Sequence, residues 1–225
     1  MRIDILTLFP EMFDSLNYSI LKRAQDDKII SINVVNIRDF ANAPHFKCDD
    51  EPYGGGAGMV MLCEPLFKAI ESVFEADAQI YYMSPRGVVF NQSIAKQMSY
   101  SKHIILLCGH YEGIDQRVID YFNIKELSIG DYVLTGGELP AMVVVDTISR
   151  LIPDVITSDS LESESFTNGL LEYDQYTRPE NFRGLKVPDV LLSGHHANIK
   201  KWREENSLEN TKKTRADLLD KHSNS

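Results

Sequence analysis

Short apolar runs alternate with segments of helical periodicity over the first 150 residues of the chain. The run at residues 3–8 predicts a strand, and the apolar positions between 12 and 24 recur at the spacing of one helix face. The same reading predicts strands at 32–37, 80–83, 104–108 and 126–129, and helices at 65–74, 91–98, 115–121 and 140–151. Because alternating strands and helices are typical of α/β proteins, we expect a mostly parallel sheet with helices on both faces.

The pattern changes after Pro153. Residues 157–165 contain four serines, one threonine and three carboxylates, which predicts a linker or mobile loop. Beyond it, an apolar stretch at 187–192 is followed by helix-like stretches at 195–206 and 214–221. We therefore expect a first domain at 1–156, a loop at 157–170 and a small, mainly helical domain at 171–225.

Composition narrows the class of protein. The chain has 225 residues, of which 43% are hydrophobic and 25% charged, so it has enough apolar material for a core. A net charge of −10 argues against a protein that binds nucleic acids or anionic membranes generally, since such proteins are usually basic. From His195 onward, however, seven Lys and Arg face five Asp and Glu, so this tail permits a nucleic-acid contact or forms a solvated surface.

The sequence indicates neither a membrane segment nor a cysteine-based site. The longest apolar runs have five residues, and the N-terminus reads directly into a strand without a signal peptide, so we expect a cytoplasmic protein without a membrane partner. Cys48, Cys63 and Cys108 lack a CxxC spacing, and we expect inert thiols rather than disulfides or a zinc site.

Three glycine-containing loops follow predicted strands, at 84–87, 109–113 and 130–138. Ligands of open α/β sheets bind at the carboxyl ends of strands, so these loops could enclose one small-molecule pocket. None matches GxGxxG, GxxxxGK[ST], GxSxG or HExxH. The glycine-rich segment 53–58 is either a flexible turn or a phosphate nest, since it lacks the lysine of a P-loop.

Longer strings, in a fixed order, identify a family. They are Leu8-Phe9-Pro10-Glu11-Met12-Phe13, Pro52-Tyr53-Gly54-Gly55-Gly56-Ala57-Gly58-Met59, Cys108-Gly109-His110-Tyr111-Glu112-Gly113-Ile114-Asp115, Ser128-Ile129-Gly130-Asp131-Tyr132-Val133-Leu134, Gly136-Gly137-Glu138-Leu139-Pro140-Ala141, Tyr176-Thr177-Arg178-Pro179 and Leu191-Leu192-Ser193-Gly194. The chain resembles the bacterial tRNA (guanine-N1)-methyltransferases of the SPOUT class from residue 1 to about 205.

The resemblance implies a deep trefoil knot, S-adenosyl-L-methionine as cofactor, and a homodimer with shared active sites. A knot is an exception to the rule that chains do not thread loops. The cofactor-binding residues that the resemblance implies are Tyr82, Met83, Ser84, Pro85, Gly109, Tyr111, Glu112, Gly113, Ile129, Gly130, Asp131, Tyr132, Val133, Leu134, Gly136, Gly137 and Pro140. It leaves the participation of Mg²⁺ open.

The implied reaction is methylation of N1 of the guanosine 3′ of the anticodon, position 37 of tRNA. Read alone, Arg150 is a cation near a helix C-terminus and Glu164 is a solvated carboxylate. The resemblance makes Glu164 the catalytic base and Arg150 the group that stabilises charge on guanine O6. Many relatives have Asp at this position, which makes Glu162 an alternative base. The implied substrate-binding residues in the anticodon stem-loop contact are Asp49, Tyr53, Gly54, Gly55, Gly56, Gly58 and Arg178.

Alternative functions stay open at this point. A nucleotide-phosphate hydrolase could use the nest at 54–58, although no lysine follows it. A SPOUT methyltransferase acting on another RNA and a non-catalytic RNA-binding module are the other two alternatives. If tRNA is the substrate, we expect it to order the loop at 157–170 and to bind with a modest salt dependence.

Overall fold

A computed structural model describes residues 1–157 and 164–222. The chain forms two compact units, Met1–Ile156 and Thr157–Ser225. Glu162, the alternative base, lies outside the described residues, as does most of the serine-rich stretch. No helix among the described residues is long and apolar enough to cross a membrane.

The first unit contains a five-stranded sheet. Its strands are β1 (Arg2–Thr7), β2 (Ser31–Asn36), β5 (Gln79–Val89), β6 (His103–Cys108) and β7 (Lys125–Ser128). Their order across the sheet is β2-β1-β6-β5-β7, and every neighbouring pair is parallel. A separate antiparallel pair is formed by β3 (Asp49–Asp50) and β4 (Val60–Met61). The predicted mixed α/β fold with a mostly parallel sheet is confirmed.

Helices cover both faces of the sheet. They are α1 (Ser19–Asp26), α2 (Cys63–Val73), α3 (Gln92–Ser99), α4 (Gln116–Phe122) and α5 (Glu138–Ser149), with 3-10 helices at Pro10–Asn17 and Ile37–Phe40. All six residues of β6 are buried, and alternate residues join different cores. Ile104 and Leu106 pack with residues of α1, α3 and α5, whereas Ile105 and Leu107 pack with residues of α2 and α4. This burial on both faces explains the continuous apolar run in the sequence.

The expected single helix at 12–24 is wrong. The chain forms a 3-10 helix to Asn17, and Tyr18 is extended before α1 begins. Ser19 has a φ of 53°, in the left-handed region, which interrupts any continuous right-handed helix. Apolar residues on both sides of the break still face the same core, so the helical spacing continues through it.

Strand β5 does not end at Met83, as the sequence suggested, but continues to Val89 through a bulge. Both Met83 and Val88 lie opposite Leu127 of β7, so residues 84–87 form the bulge. A Cβ on Gly87 would overlap the backbone of Glu126 and Leu127, which explains why a glycine closes the bulge.

The described residues of the second unit form a short hairpin and three helices. Its elements are β8 (Asn181–Phe182), β9 (Leu185–Lys186), α6 (Asp189–Leu192), α7 (His196–Thr214) and α8 (Asp217–His222). The expectation that a helix stops at Asn206 is wrong, because α7 has 19 residues in total and ends at Thr214. His195 caps α7, its ring nitrogen accepting the backbone N–H of Asn198 at 3.4 Å.

Polar side chains in the second half of α7 bind an extended segment of the same unit. Thr211 Oγ1 accepts the Leu171 N–H at 2.9 Å, and Asn206 Oδ1 accepts the Asp174 N–H at 2.7 Å. The Asn206 and Asn210 amides donate to the Asp174 carboxylate at 3.1 and 3.0 Å. These contacts explain why polar residues that favour a helix end in the sequence lie inside a continuous helix.

Candidate active site

The carboxyl ends of β6 and β7 lie on either side of the bulge in β5, because β5 is the strand between them. A cleft of about 200 Å³ opens there. Its lining consists of Tyr82, Met83, Ser84, Pro85, Gly109, His110, Tyr111, Glu112, Gly113, Leu127, Ser128, Ile129, Gly130, Tyr132, Val133, Leu134, Thr135, Gly136, Gly137 and Pro140. The location agrees with the general position of ligand sites in parallel sheets.

The structure brings the expected cofactor residues together in this cleft, except for Asp131, which is exposed outside its lining. Their contact with a cofactor stays a prediction. His110, Leu127, Ser128 and Thr135 also line the cleft, although they are not among the expected cofactor residues. His110 and Thr135 lie within the predicted loops at 109–113 and 130–138, whereas Leu127 and Ser128 are the last two residues of β7.

Two glycines let the three loops pack without intervening side chains. A Cβ on Gly109 would lie 2.5 Å from Tyr82 Cε2, and one on Gly137 would lie 2.8 Å from the Cα of Cys108. The Gly137 N–H donates to the Gly109 carbonyl at 2.9 Å, which joins the loop after β7 to the loop after β6. Ser128 Oγ also accepts the Gly130 N–H at 3.2 Å and donates to the Gly130 carbonyl at 3.0 Å. These contacts therefore hold the loops that line the cleft close to one another.

An ion pair holds the bulge that forms one wall of the cleft. Arg86 donates to the carboxylate of Glu126 in β7 through Nη2 at 2.8 Å and Nε at 3.2 Å. These hydrogen bonds are the largest cause of a raised pKa of Arg86, and the charge of Glu126 acts in the same direction. Burial raises the pKa of the nearby Tyr82 phenol, with the Glu126 charge acting in the same direction, so Tyr82 is a neutral wall of the cleft.

The glycine-rich segment lies directly against the cofactor cleft. The Glu112 N–H donates to the Met59 carbonyl at 3.0 Å, and the Met61 N–H donates to the Gly113 carbonyl at 2.9 Å. A Cβ on Gly58 would lie 2.5 Å from the Glu112 side chain. Gly58, one of the expected substrate residues, therefore lies next to Glu112, an expected cofactor residue.

The other expected substrate residues in the first unit flank this contact. Burial raises the pKa of Tyr111, with the charge of Asp49 and a hydrogen bond to it acting in the same direction. Tyr53 is fully exposed, and Gly54, Gly55 and Gly56 form a turn with positive φ angles of 89°, 78° and 133°. An exposed ring above a glycine turn is available for a flat ligand such as an RNA base.

The remaining expected site residues lie in different units. Arg150 follows α5 as its C-cap in the first unit, and its N–H donates to the Asp146 carbonyl at 3.3 Å. Glu164 is half-buried in the second unit, where its carbonyl accepts the Thr167 N–H at 3.3 Å. Arg178 is exposed in the second unit and lines a separate cavity there. The roles of these three residues stay predictions.

One group of possible metal ligands occurs among the described residues, and it is not in the cleft. Glu75, Asp77 and His103 have ligand atoms within 4.8 Å of one another. His103 begins β6, whereas the cleft lies beyond the last residue of this strand, Cys108. This arrangement therefore adds no support for Mg²⁺ at the cleft.

Comparisons with known proteins agree with the motifs. A sequence model of the family described as tRNA (Guanine-1)-methyltransferase TrmD matches residues 1–221. A tRNA (guanine-N(1)-)-methyltransferase of Ruminiclostridium cellulolyticum is 55% identical over 226 residues, covering 98% of this chain and 97% of the relative. The protein of the same name from Clostridioides difficile is 54% identical over 227 residues, covering 98% of each chain. With the family match over nearly its whole length, this chain belongs to the tRNA (guanine-1)-methyltransferase family.

Proposed function

We propose that this chain transfers a methyl group from S-adenosyl-L-methionine to N1 of the guanosine that follows the tRNA anticodon, at position 37. The supporting observation is the cleft at the bulge of β5 and the ends of β6 and β7, whose lining includes all the residues that the family resemblance assigns to the cofactor except Asp131. Membership of a family of tRNA methyltransferases supplies the reaction class.

The lining of the cleft offers groups that suit an adenosyl ligand. The N–H and carbonyl groups of the loops can hydrogen-bond a purine or a ribose, and Gly109 and Gly137 let these loops pack closely around it. Tyr82 and Tyr132 add aromatic surface to the lining. S-adenosyl-L-methionine bound here would supply the electrophilic methyl group.

The protein's part of the chemistry concerns a proton and a developing charge. Guanine N1 carries a proton at neutral pH and must lose it as it attacks the methyl carbon. Glu164 accepts this proton in our proposal, which is the kind of contribution that accelerates reactions by about 10² to 10⁴. Arg150 stabilises the negative charge that then grows on guanine O6.

Substrate recognition uses both units. Tyr53 and the turn at 54–58 enclose the unstacked guanine, since chemistry on a base requires its removal from the stack. Arg178 and the basic residues of α7 contact the anticodon stem-loop. These positive charges attract the RNA phosphates although the whole chain has a net charge of −10. In the proposed assembly two chains form a homodimer with shared active sites. The C-terminal part of the sheet forms a trefoil knot. The enzyme acts on tRNA in the cytoplasm.

The test is transfer of a labelled methyl group to tRNA transcripts that carry guanine or adenine at position 37. We expect labelling of the guanine transcript alone. Glu164→Gln should lower kcat by about 10² to 10⁴ and leave the affinity for S-adenosyl-L-methionine unchanged. Glu172→Gln, a carboxylate in the same unit with an exposed side chain, is the matched control and should retain activity.

Each other outcome supports a different function. Cofactor binding without transfer to any tRNA would favour the non-catalytic RNA-binding module. Labelling of a different RNA would retain the methyltransferase and change its substrate. Full activity of Glu164→Gln would show that another group is the catalytic base. Addition of EDTA to the same assay measures the Mg²⁺ requirement.

A further inference from the structure

The second unit has a cavity of its own, of about 580 Å³, which the methyl-transfer chemistry does not use. This volume lies within the range of small-molecule sites, about 300 to 1,000 Å³. The apolar side chains of Val187, Leu191 and Ile199 contribute to its lining, together with residues of the extended segment at 173–178.

Aromatic rings and guanidinium groups line this cavity, together with the polar side chains of Gln175 and Thr177 and the carboxylates of Asp174 and Glu180. The guanidinium carbon of Arg203 lies 4.7 Å from the centroid of the Tyr173 ring. Tyr176 is 47% exposed, and its ring centroid lies 6.3 Å from that of Trp202. Tyrosine rings and arginine planes are the surfaces on which unstacked RNA bases stack, whereas a purely apolar cavity would not select a nucleotide.

Hydrogen bonds within the second unit hold the segment that carries these rings. The Asp174 N–H donates to Asn206 Oδ1, and the Asp174 carboxylate accepts from the amides of Asn206 and Asn210. These contacts fix the segment against α7 and satisfy the carboxylate that lies between Tyr173 and Tyr176 in the chain. A site ordered in advance binds its ligand at a lower entropic cost.

We propose that this cavity binds a second unstacked nucleotide of the tRNA anticodon loop, in addition to the guanine that is methylated. Its base stacks on Tyr176 and Arg203, and Arg178 supplies positive charge for its phosphate. This inference rests on the proposed function, because the nucleotide belongs to the same tRNA. It assigns to the second unit the reading of loop structure beyond the target base.

Trp202 provides a direct signal, because it is the only tryptophan in the chain. The experiment titrates the full-length protein with an anticodon stem-loop RNA and follows Trp202 fluorescence, then repeats the titration with RNAs that lack one loop base at a time. The variants are Tyr176→Leu, which keeps apolar bulk without a ring, Tyr176→Phe, which restores the ring, and Arg203→Gln. Arg183→Gln is the control, since this guanidinium lies 5.3 Å from the Phe182 ring and does not line the cavity.

We expect Tyr176→Leu and Arg203→Gln to weaken RNA binding at least about fivefold, as loss of one base stack would. Tyr176→Phe and Arg183→Gln should bind like the wild type. Removal of one particular loop base should weaken the wild type equally, and Tyr176→Leu should then cause no further loss. If Tyr176→Leu does not fold, as judged by circular dichroism, Arg203→Gln with the same RNAs decides the question.

The proposal is overturned if Tyr176→Leu and Arg203→Gln bind the complete stem-loop as Arg183→Gln does, or if no single base accounts for their loss. Methyl transfer to the same RNA separates this inference from the proposed function. Transfer to guanine without the loss of affinity overturns the cavity and retains the enzyme. Loss of affinity without any transfer supports the cavity and contradicts methylation of this RNA.

Discussion

The Thr7 hydroxyl donates a hydrogen bond of 2.8 Å to Oε1 of Glu138, joining residues that are 131 positions apart in the chain. Thr7 is the last residue of β1, and Glu138 is the first residue of α5. Both are buried, with exposures of 0% and 2%. The Thr7 oxygen also accepts the Phe9 N–H at 3.0 Å, so one hydroxyl holds the exit of β1 against the helix that follows the cofactor loops.

Loss of this hydroxyl should destabilise the first unit. Thr7→Val preserves the shape but removes the donor to a buried carboxylate, and we expect a decrease of about 1 to 3 kcal/mol in the free energy of unfolding. Urea denaturation followed by circular dichroism measures it. Thr214→Val is the matched control, because the Thr214 hydroxyl is exposed and donates to the Asn210 carbonyl of its own helix. Equal stability of the two variants would show that the buried bond contributes nothing.

The bulge in β5 should not tolerate a side chain at residue 87. In Gly87→Ala the added Cβ would overlap the backbone of β7, which cannot move without breaking the sheet pairing. We expect a protein that folds with reduced stability and binds S-adenosyl-L-methionine at least about tenfold more weakly, since a wall of the cleft is displaced. Isothermal titration calorimetry measures the affinity. Wild-type affinity in Gly87→Ala would mean that the bulge does not shape the cofactor site.

The three thiols should be unreactive near neutral pH. Burial raises the pKa of Cys48 and Cys63 and raises that of Cys108 well above its usual value. Because the thiolate is the reactive form, we expect no alkylation of the native protein by iodoacetamide at pH 7, and reaction first at half-buried Cys63 as the pH rises. Mass spectrometry of the alkylated protein tests this order. Labelling of native Cys108 before Cys63 would contradict it.

The raised pKa of Cys108 also determines how the free energy of unfolding should change with pH. Above about pH 8.5 an unfolded thiol loses its proton, whereas the folded Cys108 thiol retains it. The folded state then binds more protons than the unfolded state, so the free energy of unfolding should fall as the pH rises beyond this value. Cys108→Ala should show a shallower decline than the wild type between pH 8 and 10.

Asp115 should stabilise the start of α4 through its charge. Its carboxylate accepts the Arg117 backbone N–H at 2.9 Å and the Arg117 guanidinium at 2.7 Å, which holds the pKa of Asp115 well below its usual range. A depressed folded-state pKa gives stability that is present above about pH 4 and lost as the pH falls toward the folded value. Asp115→Asn keeps an oxygen for the cap and removes the charge.

We expect Asp115→Asn to be less stable than the wild type at pH 7 and the difference to shrink as the pH falls below about 4. Arg117→Gln, which removes the partner and keeps the cap, should show the same trend. Thermal unfolding at a series of pH values measures both. A difference that is independent of pH would assign the effect to packing rather than to the ionised carboxylate.

Local pattern was enough to predict most strands and helices of the first unit. The buried strand β6 and the helices α2 and α5 stand within about two residues of their predicted positions, because burial on a sheet or helix face imposes a period that is visible in the chain. The three glycine-containing segments were also visible, although the one at 84–87 is a bulge within β5 rather than a loop after a strand. Their meeting in one cleft followed only from the strand order, which places β5 between β6 and β7.

Some features were invisible because their cause lies far away in the chain. The break at Ser19, the bulge closed by Gly87 and the continuation of α7 beyond Asn206 each depend on a backbone angle or a contact that hydrophobic spacing does not record. His110 lies in the predicted loop at 109–113, but only the tertiary structure shows that its ring lines the cleft, with its centroid 4.9 Å from that of Phe9.

The sequence by itself determined the class of fold, the positions of the loops that enclose the cleft, and the family, through strings of residues long enough to be specific. The tertiary structure decided which loops are neighbours, which glycines must lack a side chain and which polar groups meet, as Thr7 and Glu138 do. The division has a physical reason. Periodicity reports the burial of a residue, whereas the identity of its partner depends on contacts between segments that are distant in sequence and become close only when the chain folds.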